Sequence, residues 1–123
     1  MDFHFEPRAG YLLVVATGPF DADACRAAMG SIMKLCAEKE IARVLVDARA
    51  ISEIVSIADR FDLAKEVVAQ RLPRIAILVT EANAIHSRTF ENTAINRGAS
   101  VRTTASEAEA CGFLGLEMPC AAR

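Results

Sequence analysis

The sequence lacks any apolar run long enough to cross a membrane. Its longest uninterrupted apolar segment covers residues 11–16, far below the ~20 residues that a membrane-spanning helix requires. The opening stretch MDFHFEPR is acidic and is interrupted by proline, which is the wrong pattern for a secretory signal. These absences predict a protein that is neither exported nor embedded in a membrane.

Concentrated positive charge and phosphate-binding glycine motifs are also missing. The net charge is −2 and no run of Lys and Arg occurs, whereas nucleic-acid binding needs cations gathered on one face. Neither G-x-G-x-x-G nor G-x-x-x-x-G-K is present, and Gly18 is followed by proline and then an acidic residue, which makes a poor anion nest. We therefore expect no nucleic-acid partner, no nucleotide hydrolysis and no cofactor.

The four cysteines show no C-x-x-C spacing and have no companion histidines, so the sequence predicts no metal site. Cys25 and Cys36 are eleven residues apart, which is close to three helical turns and places both on one face of a helix. We expect these two to be buried thiols and Cys120, near the C-terminus, to be accessible. Such cysteine usage suits a reducing cytoplasm.

The chain does contain enough apolar residues for one folded core. Of its 123 residues, 53% are hydrophobic and 24% are charged, which is typical of a globular domain rather than a disordered chain. We expect a single domain over residues 1–123, with residues 117–123 frayed.

Hydrophobic periodicity predicts the element order β-β-α-β-α-β-α-β-α. Strands that alternate with helices imply parallel pairing through right-handed crossovers, whereas the first two strands are close enough to form an antiparallel hairpin. The prediction is therefore an α/β domain with a mixed five-stranded sheet, mostly parallel after the N-terminal hairpin. The predicted strands cover residues 3–6, 11–18, 42–48, 74–80 and 99–104, and the predicted helices cover residues 23–39, 56–72, 86–97 and 106–114.

The helix over residues 56–72 carries two separate apolar groups. A core stripe is predicted from helical spacing, and Leu63 and Val67 then lie on a different face, next to Ile54 and Val55 of the preceding loop. Exposed apolar groups of that kind usually mark a contact, although a second layer of the same subunit could also cover them. The predicted core stripe consists of Ile57, Phe61, Ala64, Val68 and Leu72.

No catalytic group can be paired with a second one. His4 and His86 have no Ser or Cys in a recognisable nucleophile context. Asp47 is the best-placed acidic residue because it ends an apolar strand, where ligand sites of α/β sheets gather. An enzyme with Asp47 as acid or base ranks last because no partner group stands beside it.

The C-terminal stretch FENTAINRGASVRTTASEAEACGFL, with its helix, N-R-G, strand and acidic-alanine helix, resembles the SpoIIAA-like group of the STAS superfamily. This resemblance implies a sequentially wound sheet, a non-enzymatic role, and kinship in fold to the lipid-binding lobe of CRAL-TRIO (Sec14-type) proteins. Anti-sigma-factor antagonists of the superfamily carry a D-S-S-G motif whose second serine is phosphorylated. Aligned here, the motif falls on Val55, Ser56, Ile57 and Ala58, so the usual phosphoacceptor is missing.

Two residues near these segments have competing interpretations. Ser56 is better explained as a helix N-cap than as a phosphorylation site, and phosphorylation on Ser52 or Ser56 stays open as the alternative. Arg97 is expected to rest its stem on the core and to reach carbonyls at the helix end, while Gly98 reverses the helix. Contact of Arg97, or of Asp47, with an anion or ligand is the functional alternative.

The sequence therefore predicts a cytoplasmic, non-catalytic module of bacterial type that binds a protein partner. The expected contact residues are Ile54, Val55, Ser56, Leu63 and Val67. A homodimer is also expected, because strands buried on both faces need cover that helices gathered on one face do not provide. The alternative is a carrier of a lipid or small apolar molecule, for which Met29 and Met33 give weaker support since Met often fills cores.

Overall fold

Five strands form one sheet in the same order as in the chain. The first two strands pair antiparallel and all later neighbours pair parallel, which confirms the predicted mixed sheet. The computed structural model describes residues 1–121. The strands are β1 (Asp2–Arg8), β2 (Tyr11–Thr17), β3 (Arg43–Asp47), β4 (Arg74–Leu78) and β5 (Val101–Thr104). The helices are α1 (Ala22–Lys39), α2 (Ile57–Ala69), α3 (Glu81–Ile85), α4 (Arg88–Asn96) and α5 (Glu107–Leu114).

Polar side chains begin three of the helices, and Ser106 and Glu109 have the spacing of a capping box at the start of α5. Asp21 caps α1, Ser56 caps α2 by accepting from Asp59 N, and Ser106 caps α5 by accepting from Glu109 N. The reciprocal half of the capping box at α5 is absent, because the Glu109 carboxylate binds the Thr104 hydroxyl instead, at 2.8 Å. Each cap satisfies amides that the first turn leaves without a helical partner.

The helix predicted over residues 86–97 corresponds to α4, and the short α3 that precedes it was not predicted. Thr80 caps α3, and His86 is the C-cap of α3 rather than the start of the next helix. The exit from α4 agrees with expectation, since Gly98 has φ +95° and Arg97 Nη1 donates to Thr93 O at 3.3 Å. Arg97 is nevertheless exposed, so its stem does not lie in the core.

The sheet separates two hydrophobic cores of different size. Because side chains alternate along each strand, Val14 and Val44 face the larger core, under α1, α2 and α4, whereas Leu13 and Leu45 face the smaller core, under α5. No helix in residues 1–121 is both long and apolar enough to span a membrane.

Residues 117–121 are held against α5, which corrects the expectation that this end frays. Cys111 and Cys120 form a disulfide, the Tyr11 hydroxyl donates to Cys120 O at 2.8 Å, and Glu107 Oε2 accepts from the amides of Cys120 and Ala121 at 3.0 and 3.2 Å. Cys120 is therefore buried and bonded, not an accessible thiol. Residues 122–123 lie outside the described residues.

Helix α2 packs on the sheet with a different face from the predicted one. Leu63 and Val67 are buried, with 8% and 2% exposure, whereas Ile57 and Phe61 are exposed by 68% and 39%. At 100° per residue the two faces differ by roughly a quarter turn. The prediction was wrong because Arg60 lies on the buried face. A prediction based on hydrophobicity places a charged residue on the exposed face.

Candidate functional site

An apolar cavity of about 170 Å³ lies between the sheet and helices α1, α2 and α4. Its floor includes four side chains in register across the sheet, which are Val14, Val46, Ile77 and Thr103. Val46 and Ile77 belong to central strands, yet they are only partly buried. Protein interiors rarely leave voids larger than a water molecule, so a cavity of this size in a small core is a candidate ligand site.

The walls of the cavity come mainly from the three helices above the sheet. Leu63 and Val67, predicted to be part of an exposed contact, instead line this cavity from α2. Met29, named in connection with the carrier alternative, lines it from α1. The other helical residues that line it are Cys25, Ala28 and Ile32 of α1, Arg60 of α2, Asn83 of α3 and Phe90 of α4.

Two polar groups of the lining lack partners within the chain. Thr103 Oγ1 is buried and makes no hydrogen bond within the described chain. Arg60 is only 9% exposed, and no hydrogen bond or ion pair joins its guanidinium to any of residues 1–121. Buried arginine is rare unless it is paired, which makes Arg60 the most unusual residue of the site.

The loop over residues 48–56 closes one side of the cavity. Asn83 holds it in place: its side chain donates to Glu53 O at 2.9 Å and accepts from Val55 N at 3.3 Å. The Glu53 carboxylate accepts from Phe20 N, and this hydrogen bond is the main cause that lowers the pKa of Glu53. The loop therefore covers the cavity with Ile51 and Val55.

A second feature, on the outer side of α2, is an exposed apolar surface. We call Ile54, Ile57 and Phe61 the α2 patch; all three are exposed. Lys65 Nζ lies 4.8 Å from the centroid of the Phe61 ring and the Arg97 guanidinium carbon lies 5.6 Å from it. The patch thus has an apolar centre with two cations beside it, one from α2 and one from the end of α4.

Asp47 belongs to neither feature. It is buried beside the α5 core, and its carboxylate binds Arg49 Nη2 at 2.7 Å and Arg49 Nε at 3.0 Å. The hydrogen bond to Asp47 is the largest cause that raises the pKa of Arg49. Because both carboxylate oxygens bind Arg49, this ion pair accounts for the buried position of Asp47. Asp47 and Arg97, both predicted as ligand contacts, do not lie together in the structure.

One group of residues in the described chain has donor atoms close enough for a metal. Ligand atoms of Glu107, Cys111 and Cys120 lie within 4.8 Å of one another. The two sulfur atoms form the disulfide, whereas metal binding requires thiolates. In its oxidised form the group is therefore a structural link and not a metal site.

Sequence analysis missed Arg60, Asn83 and Thr103. The available signal for Arg60 was the spacing 60-63-64-67, which follows the helical period and gives the buried face of α2. The stripe that begins at Ile57 is more hydrophobic and was therefore chosen as the buried face. Asn83 and Thr103 gave no local signal, because their roles depend on which loop and which helix lie over them.

Comparison with known proteins places the fold but not the activity. No family model matches the chain, and no curated protein matches it in sequence. Among solved structures, the chain is similar to an anti-sigma factor antagonist from Mycobacterium paratuberculosis, with a TM-score of 0.58 and 15% sequence identity over 93% of each chain. The fold is thus the STAS fold of the SpoIIAA type, as the resemblance in sequence predicted.

Proposed function

We propose that the protein is a non-catalytic regulatory module that binds a protein partner through the α2 patch. The observation that carries this proposal is Ile57, the first residue of α2, which is 68% exposed. Together with Ile54 and Phe61 it forms an exposed apolar group, and such groups, unlike single exposed apolar residues, mark interaction sites. The name of the similar structure, an anti-sigma factor antagonist, supports a protein partner for this fold.

The identity of residue 57 also bears on regulation. Alignment with the D-S-S-G motif of the superfamily puts Ile57 at the phosphoacceptor position, and isoleucine cannot be phosphorylated. The neighbouring Ser56 hydroxyl accepts from Asp59 N at 3.1 Å and already serves as the helix cap. We infer a contact that phosphorylation at this position does not release.

The chemistry of the patch indicates the kind of partner. Lys65 and Arg97 lie beside the Phe61 ring, and Lys65 is only loosely paired with Asp62, at 3.8 Å. A complementary surface would present apolar side chains at its centre and carboxylates at its edge, because opposite charges favour encounter and orientation. Val55 and Ser56 flank the patch and belong to the same proposed contact.

Location and assembly are part of the same proposal. We propose a cytoplasmic homodimer in which the second copy or another protein covers the α2 patch. The Cys111–Cys120 disulfide argues against a reducing compartment, so the redox state of this pair in cells bears directly on the location.

The test is a paired substitution on the patch, Ile57→Asp with Phe61→Asp. We expect the variant to fold with nearly unchanged stability, because both side chains are exposed. Sedimentation at tens of micromolar should show a dimer for the wild type and a monomer for the variant. The matched control is Met118→Asp, which adds charge to an exposed apolar residue beside α5. Two results together would contradict the proposal: the wild type is monomeric, and the patch variant retains in pull-down every partner of the wild type.

The cavity favours a second candidate function, that of a carrier of a small apolar ligand. Its lining is almost entirely apolar, and it reaches from the loop over residues 48–56 to the middle of the sheet. Native mass spectrometry of the protein as purified tests this role, since a bound compound adds a defined mass that denaturation removes.

A further inference from the structure

We propose that the cavity binds a small apolar carboxylate, with the carboxylate paired to Arg60 and the tail lying on the row of Val14, Val46 and Ile77. This site is separate from the α2 patch, and it rests on the second candidate function, whose ligand it specifies. The charge of the lining, the position of its polar groups and the available volume each support this ligand.

Among the described residues that line the cavity, Arg60 has the one charged side chain. The other polar side chains of the lining are neutral, and the thiol of Cys25 is protonated at neutral pH because burial raises its pKa to about 11. Arg60 as a whole residue is 9% exposed, and its charge has no ion-pair partner in the described chain, so an anion in the cavity would be attracted to it. An anionic ligand in the cavity would supply the missing counter-charge.

The polar groups of the lining gather at one end of the sheet. Arg60 lies in the first turn of α2, which follows the loop from the carboxyl end of β3, and Thr103 is the next-to-last residue of β5. The amide of Thr103 binds the Glu91 carboxylate, whereas its hydroxyl is the buried atom without a partner. Ligand sites in parallel α/β sheets occur at the carboxyl ends of the strands, so the ligand's polar group belongs at this end.

The lining favours a carboxylate over a phosphate. A phosphate monoester carries a charge of about −1.5 to −2 at neutral pH, and the single charge of Arg60 would leave part of it uncompensated in an apolar site. The side-chain amide of Asn83 could supply further donors, but it already donates to backbone carbonyls of the loop. A planar carboxylate matches one guanidinium in both charge and geometry.

The volume limits the tail. An engineered protein cavity of about 150 Å³ holds benzene, and the cavity here is about 170 Å³. A tail of about six to ten carbon atoms is therefore the expected size on this scale. Most of the remaining lining is aliphatic or aromatic, and the Ser87 hydroxyl already donates to Ala84 O at 2.7 Å.

The experiment measures binding of octanoate and of 1-octanol, which share one tail length and differ in the head group, to the full chain by calorimetry. We expect octanoate to bind the wild type at least ten-fold more tightly than octanol. Amide chemical shifts should change at Val46, Ile77 and Thr103. Arg60→Met keeps an unbranched side chain and removes the charge, so it should lower octanoate affinity at least ten-fold and leave octanol affinity unchanged. Arg71→Met, which removes an exposed arginine just beyond α2, is the matched control.

Three outcomes would overturn the proposal. Equal affinity for octanoate and octanol would exclude charge recognition while leaving a carrier of neutral ligands standing. Octanoate binding that Arg60→Met does not weaken, or that shifts only amides of the α2 patch, would place the ligand elsewhere. Absence of binding by both compounds would contradict the carrier role as well. The comparison of the two ligands on the wild type needs no substitution, so it decides the matter even if Arg60→Met fails to fold.

Discussion

The two sides of the sheet differ in how completely they are packed. The α5 side is closed: Leu114 and Cys111 are almost fully buried, and the disulfide with backbone hydrogen bonds to Glu107 holds residues 117–121 over it. The opposite side has three helices and more side chains, but it retains the cavity and the unpaired Arg60. The smaller core is the better packed one.

This difference indicates a division of roles. An unpaired charge and an unfilled volume both lower stability, and such features are characteristic of sites that bind something. On the α5 side, Asp47, the buried acid of the described residues there, is paired with Arg49. We therefore assign stability to the α5 side and binding to the side of α1, α2 and α4.

The largest expected effect tests the packing difference. Leu114→Ala should lower the free energy of unfolding by about 3 kcal/mol, because it opens a void in a filled core. Met29→Ala should cost about 1 kcal/mol, because Met29 is partly buried and already borders the cavity. Chemical denaturation of both variants beside the wild type measures the difference. Equal losses would mean that the two cores are equally packed.

The sheet could be predicted from sequence because its signals are local and independent. The apolar strands β3 and β4, the alternation in β1 and the turn residues between β1 and β2 each point to one structure. Helix α3 could not be predicted, since its five residues are too few for a helical period to show. The disulfide was also missed, because Cys111 and Cys120 become neighbours only when residues 117–121 fold back on α5.

The next effect concerns the face of α2. Val67→Ser should lower the free energy of unfolding by about 2 kcal/mol, because it buries a hydroxyl and removes apolar volume. Ile57→Ser should change it by about 0.5 kcal/mol or less, because Ile57 is exposed. Thermal and urea unfolding of the two variants provide the measurement. The reverse ranking would restore the orientation that hydrophobicity alone predicts.

The candidate site was less predictable than the fold for a physical reason. Sequence patterns report where apolar residues would be most stable, whereas Arg60 is a charged residue on the buried face of α2. Its placement follows from the helix as a whole, since burying Leu63, Ala64 and Val67 brings residue 60 inward with them. The proposed contact kept Ile54, Val55 and Ser56, but its helical residues changed from Leu63 and Val67 to Ile57 and Phe61.

A further expected effect is the response of Cys25 to pH. Burial, followed by the charge of Asp21, raises the pKa of this thiol to about 11 from 9.0. Because the folded pKa lies above the unfolded one, the protonated thiol's contribution to stability is fully present below pH 9 and is lost as pH rises towards 11. The free energy of unfolding should thus fall over this range more in the wild type than in Cys25→Ala.

Thiol labelling gives a second measurement of the same group. In a Cys36→Ala background Cys25 is the free thiol among the described residues, and the disulfide-bonded pair does not react with a thiol probe. The labelling rate should be low at neutral pH and still increasing at pH 10, because the thiolate is the reactive form. A rate that levels off near pH 9 would show that Cys25 is hydrated. The wall of the cavity formed by α1 would then be open to water, and the contrast between the two sides of the sheet would reflect solvent access rather than a binding site.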